Sequence, residues 1–337
     1  MRRNVARSVL SQKGQARASR RQTSGRLGTS LYAQMSRHKD IAFVCVVRRV
    51  GGIGDIVMIL PSLKQLRRDF PSARITFAVD MRSTEKNVYY ELVRNLSYID
   101  RVMDARYVDK GKFHYTEDIS SVCLRYERKD LPPINRIDLF SKALGVPYLS
   151  DKRPDLELGS SEIQWAKKFY DRYRKAGKSI VVLHTASMEE KRCWPIKNYV
   201  EIVTRAERSG LPVQFIVLDY NRRYRDWKSH SNVTEISNMR IRQLATLIGN
   251  ADYFIGPDSG PMHLAGAAGT SSAVIFGSIP PEARINYYPT HRAIRLDGLS
   301  CLGCWYEKCP YNIKCMRELP SARVYNILRT RFEALPE

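Results

Sequence analysis

The sequence predicts an α/β protein with two domains built on buried strands, and three observations predict it. Ile41 to Val47 is a continuous, β-branched apolar run, as expected of a strand covered on both faces of a parallel sheet, and it leads into a glycine-rich turn, an amphipathic helix and a second such strand. Tyr253 to Ile255 repeats the theme, with a short apolar strand, a break at Gly256 and Pro257, and a helix of small residues from Gly260 to Ala268. The length of 337 residues is enough for two domains, each with its own core.

The first βαβ unit is RRVGGIGDIVMILPSLKQLRRDFP followed by the strand Ile75 to Val79. Gly51, Gly52 and Gly54 allow a tight turn, and Asp55 can cap the helix. Ile56, Ile59, Leu60, Leu63 and Leu66 give that helix a buried side, and Pro61 should kink it or mark a first-turn boundary. GGIGD is not the dinucleotide fingerprint G-x-G-x-x-G, so the turn alone is weak evidence for a nucleotide site. From Tyr89 to Leu144 the pattern weakens. Val122 to Leu124 reads as a strand, and Ile137 to Leu144 as a helix stopped by Gly145 and Pro147. Pro147 to Gly159 reads as an interdomain linker, which places the domains at 41–158 and 159–318.

The second domain opens with an amphipathic helix, Ser161 to Ala176, and the strand Ile180 to Leu183. A polar turn, HTASMEEKRCWP, leads to another helix. Val213 to Leu218 is the next buried strand, and Ile241 to Ile248 a helix that precedes FIGPDSGPMHLAGAAGTSSAVIFG. A helix beginning at Ser259 and Gly260 points free N–H groups and the positive end of its dipole into the preceding bend, where a phosphate can bind. Asp258 and His263 flank that bend, although His263 could equally be a satisfied core histidine. Ser321 to Ala334 reads as a last helix.

The formal net charge of +22 favours a polyanionic partner such as a phosphorylated lipid surface, nucleic acid or an acidic glycan. Residues 1–40 hold ten Arg and Lys up to Lys39 and no acidic residue before Asp40. Such a tail is either a disordered, solvated extension or an electrostatic tether to anionic membrane or nucleic acid. No apolar run approaches the roughly 20 residues that span a bilayer, and the tail lacks the apolar core of a secretory signal, so a cytoplasmic protein is expected.

Three blocks in this order resemble glycosyltransferase family 9, the heptosyltransferases. They are the Gly turn ending at Asp55 with L-P downstream, the K-R-C-W-P turn, and D-S-G-P-M-H-L-A with its following F-G. The resemblance implies two Rossmann-like domains facing a central cleft, the GT-B architecture, and transfer of a sugar from a nucleotide diphosphate donor, usually ADP-heptose, to an acceptor hydroxyl. It implies that Asp55 is the catalytic base, whose alternative role is a helix cap without chemistry. Donor binding is implied for Gly54, Thr185, Ser187, Lys191, Arg192, Asp219, Asp258, Ser259, Gly260, Pro261 and His263. Cys193 separates Lys191 and Arg192 from Trp194, one residue more than the family pattern, so either cation could hold the diphosphate, or both could be solvated surface charges. The last helix would cross back onto the first domain. The chain contains no D-x-D motif, so no catalytic divalent ion is expected.

The resemblance and the charge together lead to an inverting transferase acting on a polyanionic acceptor such as a lipopolysaccharide core, peripheral at the inner face of a membrane. The alternative is a protein of the same fold that modifies or binds nucleic acid through its basic tail. Cys301, Cys304, Cys309 and Cys315 place four soft ligands within fifteen residues, suited to structural zinc or iron, with disulfides or free thiols as the alternatives.

Overall fold

A computed structural model describes residues 30–38, 40–82, 87–219 and 224–333. The chain from Leu31 onward is one compact unit containing two all-parallel sheets. In chain order the first sheet and its helices are α1 (Leu31–Met35), β1 (Phe43–Arg48), α2 (Ile53–Asp69), β2 (Arg74–Val79), α3 (Val88–Val93), β3 (Arg101–Asp104), β4 (Tyr115–Asp118), α4 (Val122–Tyr126) and α5 (Arg136–Leu144). The second comprises α6 (Ser160–Lys175), β5 (Ser179–His184), α7 (Ile196–Arg208), β6 (Val213–Leu218), β7 (Val233–Ile236), α8 (Ile241–Gly249), β8 (Tyr253–Pro257), α9 (Gly260–Ala268), β9 (Ser272–Ile275), α10 (Glu282–Ile285), β10 (His291–Ile294), α11 (Lys314–Arg317) and α12 (Ser321–Phe332).

Strand order is β3-β2-β1-β4 in the first sheet and β10-β9-β8-β5-β6-β7 in the second. Both orders reverse direction beside their first strand, between β1 and β4 and between β5 and β8. In open α/β sheets ligands bind outside the carboxyl ends of the strands at this switch point. The glycine turn after β1 and the polar turns after β5 and β8 therefore occupy the positions where topology favours a site.

The central strands are buried on both faces; in β1 every residue after Phe43 is buried, and β6 and β8 are buried throughout. At roughly 1.5–3 kcal/mol for each large apolar side chain removed from water, these strands supply much of the drive to fold. One continuous apolar cluster runs from Val44 and Leu60 of the first sheet to Phe254, Leu264 and Tyr288 of the second, so the two domains share a core.

Several expectations need correction. The basic tail was expected to extend to residue 40, but α1 already lies within it, with Leu31 and Met35 buried and Tyr32 edge-on to Phe70; residues 1–29 are outside the described residues. Val122–Leu124, expected as a strand, is the start of α4, because β4 takes the place beside β1; Cys123 turns inward and Leu124 stays exposed. Pro61 lies in the middle of α2 and does not end it, and β8 continues through Gly256 and Pro257. The last helix packs on α7 of its own domain rather than crossing to the first. Tyr325 bonds Ser209, Ser321 donates to Glu201, and the indole of buried Trp194 donates to the Leu319 carbonyl just before the helix.

Candidate active site between the two sheets

Two helix starts meet where the sheets face each other. α2 begins after Gly52, in extended backbone, and its third residue, Asp55, accepts the Gly52 N–H at 2.9 Å, which satisfies one of the helix's free donors. α9 begins after Ser259, has Pro261 in its first turn, and ends at Gly269 in left-handed backbone (φ 77°). Two glycines allow the close approach. A Cβ on Gly54 would lie 2.4 Å from Cδ2 of His263, and one on Gly260 would lie 2.8 Å from Cβ of Ile53.

A chain of buried ion pairs joins the two helix starts. Asp55 Oδ1 accepts from Arg48 at 3.0 Å and from Arg136 at 2.6 Å. Arg136 also forks onto Glu127, with Nη2 2.5 Å from Oε2. Glu127 Oε1 accepts from Arg284 Nη1 at 2.9 Å, and Nε of Arg284 lies 3.8 Å from Asp258. Asp258 closes the chain with Arg192 at 3.1 Å. Burial alone would raise the carboxyls of Asp55 and Asp258. Arg136 and Arg48 around the first, and Arg284 and Arg192 around the second, outweigh it and hold both below the ordinary carboxylate value.

His263 is buried, with Nδ1 3.1 Å from the Tyr288 hydroxyl, and burial lowers its pKa to about 3. At neutral pH it is an uncharged imidazole. His184 is likewise pushed down to about 4 by burial, with Nδ1 3.0 Å from Ser259 Oγ.

The other expected donor-binding residues fall into two groups. Thr185, Ser187, Lys191, Arg192 and Asp219 follow β5 and β6, and Ser187 donates to the Asp258 carbonyl at 3.2 Å. Arg192 turns to Asp258 and keeps a buried Nε without a hydrogen-bond partner, a donor left for a ligand. Lys191 instead donates to the Tyr306 carbonyl at 2.8 Å and pairs with Glu189. The Asp219 carboxylate is taken up by the fold. It accepts from Thr185, from the Trp227 indole and from the Tyr224 N–H, each at 3.0 Å, which leaves it poorly placed for a ribose. Arg48, Glu127, Arg136 and Arg284 were not anticipated. Arg48 stands directly before the first motif, but the other three lie in stretches without a motif.

All four clustered cysteines carry free thiols, Cys304 and Cys315 buried. Burial, then the neighbouring Cys309, Cys301 and Cys304, push the Cys315 thiol up to about 11. Among the described residues, however, no three His, Cys, Asp or Glu side chains form a group that could hold a metal ion, so the thiols as they stand are not a ligand set.

Two facing Rossmann-like sheets, each with its switch point at a shared cleft, define the GT-B class of glycosyltransferase folds. The chain belongs to glycosyltransferase family 9 (heptosyltransferase), whose sequence model matches residues 125–314. A curated relative, the lipopolysaccharide core heptosyltransferase OpsX of Haemophilus influenzae, is 27% identical over 137 residues, covering 39% of this chain and only 38% of that protein. Among solved structures, ADP-heptose lipopolysaccharide heptosyltransferase II of E. coli aligns with a TM-score of 0.60 at 13% identity, over 86% of this chain and 99% of that one. The dodecameric iron-containing heptosyltransferase TibC, solved with ADP-D-β-D-heptose, gives 0.63 at 16% identity over 87% and 76%. A family 9 glycosyltransferase of Veillonella parvula gives 0.59 at 17% over 76% and 86%. At these identities the structural likeness is one of fold.

Proposed function

We propose that this protein is an inverting glycosyltransferase that moves a heptose-like sugar from an ADP-linked donor to a hydroxyl of a polyanionic acceptor such as a lipopolysaccharide core. The observation that carries the reading is the buried ion chain from Asp55 to Asp258 and Arg192. It sets a carboxylate at one helix start opposite an anion-binding helix start, across the seam of the two sheets. The donor diphosphate rests on the N–H groups at Ser259 and Gly260. Arg192 is the cation beside it, because its guanidinium faces Asp258 while Lys191 is held by Tyr306. A bound diphosphate competes with Asp258 and Glu127 for Arg192 and Arg284, and those guanidiniums then offset the charge that grows on the leaving group. Asp55, ionised at neutral pH, takes the proton from the acceptor hydroxyl as it attacks the anomeric carbon.

The names of the OpsX relative and of the E. coli structure support the donor and acceptor classes. The charge of +22 supports a polyanionic acceptor and peripheral contact with an anionic membrane at its cytoplasmic face. Among the described residues no helix is long and apolar enough to cross a membrane. The test is transfer from ADP-heptose to lipopolysaccharide core. Asp55→Asn should lower turnover by about a hundredfold or more while ADP still binds. Turnover of a third of wild type or better would remove Asp55 as the base. Salt-sensitive DNA binding without turnover of any nucleotide sugar would instead favour the nucleic-acid reading.

A structural zinc or iron at the four-cysteine segment belongs to the same reading and is supported by the spacing of Cys301, Cys304, Cys309 and Cys315 within fifteen residues. It requires the loop to draw the sulfurs together. Elemental analysis of protein purified without chelator should then find about one equivalent of metal, lost in Cys309→Ser; metal-free, fully active protein would leave the cysteines as free thiols.

A further inference from the structure

Beside the ion chain lies a concavity lined by none of the residues assigned to the donor. It is a crevice of about 240 Å³ with walls from both domains. The first domain contributes Lys129 and Leu131, and the second contributes Pro280, Pro281 and Glu282 after β9 and Trp305 from the cysteine segment. Below the roughly 300–1,000 Å³ of most ligand pockets, it has room for one sugar ring and not for a nucleotide.

Three features give the crevice a chemical character. Trp305 is held in left-handed backbone (φ 57°), unusual for a bulky residue, by its N–H donating to the Ser278 carbonyl at 2.9 Å. Its ring is backed by the Arg284 guanidinium, 5.2 Å from the ring centroid, so the indole rests directly on the ion chain of the cleft. Lys129 is exposed and poised over Tyr306 of the same segment, with Nζ 3.1 Å from the hydroxyl and 5.2 Å from the ring centroid. An ammonium has three N–H donors, and this contact uses one of them. The remaining lining is largely apolar, with Leu131, Pro133, Phe276, Ile279 and Leu302.

We infer that this crevice is an acceptor subsite that binds one anionic saccharide unit, stacked on Trp305 and held at its acidic group by Lys129. This rests on the transferase reading. A pyranose offers an apolar C–H face to an indole, and its acidic substituent meets the lysine. Walls from both domains place such a unit beside the seam where Asp55 would receive the acceptor proton. The cysteine segment thereby gains a role in substrate recognition, because it carries both aromatic residues.

Glucose 6-phosphate, glucose and inorganic phosphate serve as probes, each titrated by ligand-observed NMR into the full-length protein in the presence of excess ADP. Glucose 6-phosphate should bind about fivefold or more tightly than either of the others. Lys129→Ala should reduce it to the level of glucose, and Trp305→Leu should abolish binding; Trp305→Phe, which keeps a ring, should retain most of it. Affinity for ADP should stay within about twofold in Lys129→Ala, which touches none of the residues assigned to the donor. The proposal is overturned if the wild type does not prefer the sugar phosphate, if Lys129→Ala binds it unchanged, or if a folded Trp305→Leu binds it as the wild type does. Failure of ADP itself to bind would sink the donor reading and leave the sugar-phosphate result to judge the crevice.

Discussion

Asp55 is a carboxylate in a buried place, and its neighbours keep it ionised. Burial alone would favour the neutral acid, but Arg136 and Arg48, the Gly52 N–H and the more distant Arg284 pull the proton affinity down. Tyr89, His263 and Cys123 also face this cluster, the first two through the field of Asp55 and the last beside Arg48. Asp55 is therefore ionised well below neutrality. Arg136→Met removes the largest of the opposing charges, so the Asp55 pKa rises and the acid limb of kcat moves to higher pH. A pH–rate profile measures this directly, and an acid limb unmoved in the variant would separate Asp55 from the proton transfer. At this scale the sequence motifs point to Asp55, Asp258, Ser259 and Gly260, because each stands at a turn whose chemistry is local. Arg136, Glu127 and Arg284 could not be found that way. Their meaning is a meeting of distant stretches of chain, since Arg136 reaches Asp55 across 81 residues and Arg284 reaches Glu127 across 157.

At the scale of elements, the strands legible in the sequence are the inner ones. β1, β2, β5, β6, β8 and β9 are apolar runs bounded by turn residues, as double burial requires. The four strands that escape such a reading are β3, β4, β7 and β10, and these are the edges of the two sheets. One side of each meets solvent, so RVMD, YTED, VTEI and HRAI carry charges where a central strand carries valine. The helix starts of α2 and α9 were legible from their glycines, but not the contact between them. That contact makes a sharp expectation. Gly54→Val places carbon within 2.4 Å of the His263 ring, and Gly260→Val does the same against Ile53 at 2.8 Å. Each should cost about 1–3 kcal/mol of stability by overpacking and weaken ADP binding, as the seam is forced open. Thermal melting and ADP titration of both variants would show it; wild-type behaviour in either would mean that the helix starts are not held together in solution.

Over the whole molecule, acid should loosen the seam through histidines before it reaches the carboxylates. His184, His263 and His291 lie around α9, and burial lowers them to about 4, 3 and 4 from an ordinary 6.5. All three stay neutral when folded and take up protons once unfolded. Between pH 6.5 and about 4 the unfolded chain therefore binds more protons, and stability falls as pH falls, by up to about 1.4 kcal/mol per pH unit for each histidine. Asp55, Asp258 and Glu127 act in a lower window. Their folded values lie beneath the ordinary 3.8 and 4.5, so the stability they contribute is complete above those values and is lost only as pH drops through the folded ones. The melting temperature should accordingly decline from pH 6.5 downward, well before the carboxylates titrate. Replacing His291 by Gln, which cannot be protonated, should remove about a third of that slope if the three contribute equally. A melting temperature that stays level down to pH 4.5 would show that these imidazoles reach water in the folded protein, and with it that the seam between the two sheets is open rather than closed around α9.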